Sequence, residues 1–182
     1  MNMAPTLVTS CTALTPALAA RRAVLIGGVL GLTGCGFKLR QAPNFVFSSI
    51  YIAVARGSAL GNELKRSMAS GGTITVLPET ASPQTAQVIL DVLADQREKV
   101  VVGLNATGQV REFQLRIRFK FRLRTPQGKE LIPETELLQQ RDISFNESAV
   151  LAKEAEEGLL YRDMQTDIVQ QLMRRLAAVK SL

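Results

Sequence analysis

Residues 111–125 read REFQLRIRFKFRLRT. From Phe113 to Leu123 the odd positions are Phe113, Leu115, Ile117, Phe119, Phe121 and Leu123. The even positions from Arg116 onward are Arg116, Arg118, Lys120, Arg122 and Arg124. Successive side chains of a β-strand point to opposite faces. The stretch is therefore a strand with one continuous apolar face and one row of five cations. A period of two held over eleven residues requires that one face be buried. At about 3.3 Å per residue those residues span roughly 36 Å. Two partners suit the cationic face: acids on neighbouring strands, or an anion outside the chain.

The 182 residues suffice for one ordinary domain, and 46% apolar residues can fill a core. A formal charge of +6 favours an anionic partner, although mildly basic domains without one are common. Histidine and tryptophan are missing, and the two cysteines are Cys11 and Cys35.

Residues 1–20 hold no acid; Arg21-Arg22 and the apolar run 23–32 (AVLIGGVLGL) follow. A basic region before a short apolar run is the layout of a secretory signal, and ten residues are too few to span a bilayer. Leu32-Thr33-Gly34-Cys35 comes next and resembles a bacterial lipobox. Its small residues suit a peptidase pocket, and the Cys35 thiol is the nucleophile that takes a lipid. The expected anchor is S-diacylglycerol plus N-palmitoyl on Cys35, with no other cofactor. More than one chain is needed for stable anchoring, since each buried methylene adds about 0.8 kcal/mol. Gly36 follows Cys35 in place of an aspartate resembling an inner-membrane retention signal, so the expected address is the periplasmic face of the outer membrane. The long leader is open to two readings, a twin-arginine signal or a start codon set too far upstream. Removing residues 1–34 takes away Arg21 and Arg22 and no acid, which lowers the formal charge to +4. With Cys11 lost and Cys35 alkylated, packing alone must stabilise the domain.

Residues 1–34 are thus expected to be signal, 35–45 a lipidated tether, and 46–182 one domain. A first strand is expected over 46–55, with Val46, Ser48, Ile50, Ile52 and Val54 on one face. Ser58 is a suitable helix N-cap, Leu60, Leu64 and Met68 form a helical stripe, and Gly71-Gly72 end it. Residues 73–77 are a short extended piece. Over 86–102, Ala86, Val88, Leu90, Val92 and Ala94 alternate with Gln87, Ile89, Asp91, Leu93 and Asp95. Residues 103–108 (GLNATG) make a turn, so this strand and the basic one form a long antiparallel hairpin. TPQG at 125–128 is a β-turn signal. The extended stretch 129–145 holds Pro133, which implies an edge position or a bulge, and puts Glu134, Glu136, Leu138, Gln140 and Asp142 on one face. Asn146 or Ser148 then caps a helix reaching about residue 180, with Leu160, Met164, Ile168, Leu172, Leu176 and Val179 as its buried stripe. The predicted fold class is α+β: a mixed or antiparallel sheet of about four strands with two helices packed on one face, in the order β-α-β-β-β-α.

Without histidine, imidazole triads and histidine metal sites are excluded. No phosphate-binding glycine loop is present. The pairs Asp91/Asp95 and Glu134/Glu136 are expected to pair with cations across strands rather than to act as acid and base. Nothing points to an enzyme or a resident metal. Single-strand nucleic-acid binders put aromatics and cations on one face, whereas here they lie on opposite faces, so no nucleic-acid partner is expected.

Cys35-Gly36-Phe37-Lys38-Leu39-Arg40 resembles the C-G-aromatic-x-L-R opening of the LptE lipopolysaccharide-assembly lipoproteins. Gly108-Gln109 with Glu112-Phe113, Leu151-Ala152-Lys153 and the element order resemble the same family across nearly all of the chain beyond Cys35. The resemblance implies a non-enzymatic α+β plug inside the outer-membrane β-barrel LptD that binds lipopolysaccharide and helps place it in the outer leaflet. It also implies basic contacts at the hairpin tip and at the start of the last helix. Lys153 matches the second. The tip reads Leu104-Asn105-Ala106-Thr107 without a cation, which leaves the first to Arg111 or to the strand cations Arg116, Arg118, Lys120 and Arg122. The strand cations are either balanced by Asp91, Asp95, Glu134 and Glu136, or turned to lipopolysaccharide phosphates or the LptD lumen. The competing reading is another outer-membrane lipoprotein, an adaptor or pilotin without lipopolysaccharide cargo.

Overall fold

A computed structural model describes residues 43–182. Cys35, the signal segment and the tether through residue 42 lie outside the described residues. The elements are β1 (Ser49–Ala53), α1 (Ala59–Ser70), β2 (Thr75–Val76), β3 (Val88–Leu104), β4 (Val110–Arg124), β5 (Glu130–Ser144) and α2 (Val150–Ala177). Short 3-10 turns at Pro83–Thr85 and Glu147–Ala149 precede β3 and α2. The sheet order is β2-β1-β3-β4-β5. β1 is parallel to both β2 and β3, while β3–β4 and β4–β5 are antiparallel. This is the expected α+β fold with one strand added: the piece at 73–77 pairs as the two-residue β2.

β4 lies between the long strands β3 and β5. Leu115, Ile117, Phe119, Phe121 and Leu123 are all buried, as the period of two requires. Ile50, Ile52, Val88 and Leu90 join them from β1 and β3, and Leu137 and Ile143 from β5. Both helices press on this face with Leu60, Leu64 and Met68 of α1 and Met164, Ile168, Leu172 and Leu176 of α2. Leu160 and Val179, the ends of the expected stripe, are only partly buried. The Ser58 hydroxyl accepts from Gly61 N at 2.9 Å, the expected N-cap. Gly61 also permits close approach, because a Cβ there would lie 2.8 Å from both Val54 methyls. Gly72 adopts φ +67° just past the C-cap Gly71.

Three expectations need correction. β1 is shorter than residues 46–55, and Phe47, not Val46, is buried before it. Asn146 caps the 3-10 turn by accepting from Ser148 N, and α2 itself ends at Ala177. The third concerns β3. Its register runs Leu90 opposite Leu123 and Val92 opposite Phe121, then skips Leu93 and pairs Ala94 with Lys120. One extra residue in a strand moves everything beyond it to the other face. Asp95, Arg97 and Lys99 consequently share the helix-covered face with Phe119, Ile117 and Leu115. Asp95 does not join Asp91 beside the cations; it accepts from the Ser58 hydroxyl at 2.6 Å. Pro133 sits as expected, on an edge strand at a register shift between Thr135 and Ile132.

Candidate functional site: two cationic surfaces

The open sheet face carries the cationic row. The Asp91 carboxylate accepts from Arg122 Nε at 2.8 Å and from Arg124 Nε at 2.7 Å. Burial pushes the Asp91 pKa up, and the hydrogen bonds from Arg124 and then Arg122 outweigh it, so the carboxyl lies below its ordinary range. The same hydrogen bond holds the Arg124 guanidinium above its ordinary value. Lys120 lies 3.5 Å from Glu136 and 3.8 Å from Glu134, and Arg118 Nε lies 3.7 Å from Glu136. Arg116 donates to Gln114 Oε1 at 2.7 Å. Four of the five cations thus form ion pairs within the sheet, and the row is largely neutralised where it stands. Apart from the displaced Asp95, the acids expected to balance it do so.

A second cationic surface forms at the opposite side, where the β3–β4 hairpin meets the start of α2. Two sequence candidates, Arg111 and Lys153, come to this end. Lys153 Nζ reaches Ser144 Oγ at 3.1 Å and Glu156 at 2.8 Å. The Arg111 carbonyl accepts from Phe145 N at 2.7 Å, and its side chain borders a cleft with Asn146 and Ser148. It has no ion pair among the described residues. The third member, Lys99, was not among the candidates. Lys99 Nζ pairs with Glu157 at 2.6 Å and stands 4.4 Å over the Phe113 ring. Lys99 and Lys153 rim a shallow cleft floored by Phe113, Ile143, Phe145 and Val150. Phe113 and Phe145 meet edge-to-face at 5.3 Å. The cleft holds only about 60 Å³, so it is a surface feature and not an enclosed pocket.

Lys99 was missed because the β3 bulge brings it round to this face. The one signal for it was the run Val92-Leu93-Ala94, where apolar residues stop alternating. The bulge also makes the first half of α2 rest on polar contacts. Tyr161 OH donates to the Glu98 carbonyl at 2.9 Å, and Arg97 stacks 5.4 Å from the Tyr161 ring. Arg97 donates to Gln165 Oε1, and the Gln165 amide donates to Glu63 of α1.

The six residues proposed from sequence therefore divide. Arg116, Arg118, Lys120 and Arg122 occupy the open face; Arg111 and Lys153 join Lys99 at the hairpin end. Cys35 lies outside the described residues. Among those residues no group of three metal-ligating side chains occurs, and no helix is long and apolar enough to cross a membrane.

A family model described as LptE, lipopolysaccharide-assembly, matches residues 47–176. The chain belongs to the LptE family. Among solved structures, an uncharacterized lipoprotein B from Nitrosomonas europaea is 35% identical, with a TM-score of 0.66. That match covers 79% of this chain and 91% of the other. Rare lipoprotein B from Shewanella oneidensis, at 18% identity, has a TM-score of 0.59 over 72% of this chain and 95% of its own. A minor lipoprotein from Acinetobacter baumannii, at 20% identity, has a TM-score of 0.56 over 74% and 94%. The latter two share the fold. Comparison with curated proteins returned no match. As a member of the LptE family this chain is a lipopolysaccharide-assembly lipoprotein.

Proposed function

We propose that the protein is the lipid-anchored partner and plug of the LptD β-barrel at the periplasmic face of the outer membrane. In that role it binds lipopolysaccharide at the hairpin end during insertion into the outer leaflet, without enzymatic turnover. The observation that carries the binding site is the pair Lys99 and Lys153 on the rim of an apolar floor, with Arg111 on a second cleft at the same end of the sheet. A glycolipid that presents phosphates beside acyl chains needs both features. Lysine and arginine donate charge-assisted hydrogen bonds to phosphate oxygens, and the phenylalanine floor accepts hydrocarbon. The resident partners Glu156 and Glu157 are exposed or half-buried, and such ion pairs are worth only about 0–1 kcal/mol. A phosphate displaces them at small cost.

The open face plays a lesser part in this reading, because Arg122 and Arg124 are held at hydrogen-bond distance by the mostly buried Asp91. The test compares two triple variants in the lipidated protein. Lys99→Glu, Arg111→Glu and Lys153→Glu together should abolish lipopolysaccharide capture while the fold survives. Arg116→Glu, Arg118→Glu and Arg122→Glu together should mainly lower stability. Retention of capture by the first variant overturns the site. Failure of the wild-type protein to co-purify with a large barrel protein overturns the plug assignment and favours an adaptor without this cargo.

A further inference from the structure

The topology gathers three things at the end of the sheet away from the hairpin. β1 and β3 are parallel, with Ile50 opposite Val88, so the chain enters β1 from this end. The β4–β5 turn closes here, with Thr125 N bonded to the Lys129 carbonyl at 2.8 Å. The chain beyond α2 also comes here, since Lys129 Nζ donates to a carboxylate oxygen of Leu182 at 3.0 Å. β3, with 17 residues, carries the hairpin tip roughly 55 Å away at about 3.3 Å per residue.

This end is basic. Lys129, Arg174, Arg175 and Lys180 are all exposed; Lys129 pairs with the carboxylate of Leu182, and the other three form no ion pair among the described residues. Residues 168–182 contain no acid. The neighbouring Glu130 is in register with Arg124. The helix dipole accounts for Arg174 and Arg175 in the last turn of α2. It does not account for Lys180 beyond the helix or Lys129 on the turn. Cys35 stands eight residues before Pro43, the first described residue, and eight extended residues reach at most about 28 Å. If Cys35 is in a bilayer, that reach keeps the entry to the domain close to its surface.

We propose that the basic end is a second membrane attachment, resting on the anionic phospholipid surface that holds the Cys35 anchor. The inference depends on the lipidation of Cys35. Each cation held near an anionic bilayer strengthens the contact roughly five-fold, and salt weakens it. Acyl chains fix only where the tether starts; the four cations fix which end of the domain lies down.

The experiment uses the lipidated protein in vesicles of phosphatidylcholine, with or without about one-third phosphatidylglycerol. A dye is attached through Gln127→Cys at the basic end or Thr107→Cys at the hairpin, and energy transfer to headgroup-labelled lipid is read. Transfer from position 127 should rise several-fold with phosphatidylglycerol and fall back in 0.5 M salt, where the Debye length shortens to about 4 Å. It should not rise in the variant carrying Lys129→Gln, Arg174→Gln, Arg175→Gln and Lys180→Gln. Transfer from position 107 should stay low throughout. Unmodified Cys35 by mass spectrometry overturns both the anchor and this inference. A lipidated protein with no phosphatidylglycerol dependence at position 127, or with the same dependence in the variant, overturns this inference alone.

Discussion

Replacing Asp91 by asparagine should destabilise the domain more than any other single change on the open sheet face. Asp91 is the only carboxylate among the described residues shared by two arginines at hydrogen-bond distance. Its side chain is 14% exposed, against 41% for Arg122 and 27% for Arg124. A hydrogen bond to a charged group contributes about 1.5–3 kcal/mol when well buried. Because the arginines regain water once released, about 1 kcal/mol for each is a better figure here, or about 2 kcal/mol together. For a domain of this size that lowers the melting temperature by about 6–8 °C. Acid provides the control. The folded Asp91 pKa is depressed, so its contribution is complete above the ordinary carboxylate value of about 3.9. It is lost as pH falls through the folded value. The gap between wild type and Asp91→Asn should be full at pH 7 and close below about pH 4, as a protonated Asp91 comes to resemble asparagine. Urea unfolding at several pH values measures it, and a cycle with Arg122→Gln isolates the coupling. A gap under about 0.5 kcal/mol at pH 7, or one that does not narrow in acid, would refute the claim that the sheet neutralises its own cations.

Deleting Leu93 should be tolerated, because it is the extra residue of the bulge and its loss leaves every later side chain on its present face. Deleting Gln96 from the regular part of β3 reverses those faces and should cost at least about 2 kcal/mol more in chemical denaturation. Truncating Phe119 to alanine should cost about 3–5 kcal/mol by the same measurement, since the ring is fully buried. Gln165→Leu removes the amide between Arg97 and Glu63; a loss of about 1–3 kcal/mol is expected, with faster hydrogen exchange across the first turns of α2.

Local patterns carried much of the fold. The two faces of β4, the Ser58 cap, the buried stripe of α2 and the edge position of Pro133 all follow from short-range sequence, and the structure agrees with each. β2 was legible only as an extended piece, because two residues have no period that would place them in a sheet. The Leu93 bulge left only a faint trace, since a break in alternation reads equally well as a strand with a mixed face. Lys99 went unseen as a consequence: its face depends on a residue six positions earlier.

The sequence by itself determined that β4 is buried on one side and cationic on the other, because side-chain alternation is a property of the strand alone. It did not determine which cations were already spoken for. That depended on register, and register is a relation between strands. One inserted residue in β3 kept Asp91 beside Arg122 and Arg124, carried Asp95 away to Ser58, and brought Lys99 round to the helix side near Lys153. The tertiary structure thereby tied most of the arginine row to acids of its own sheet and added Lys99 to the cations of the hairpin end.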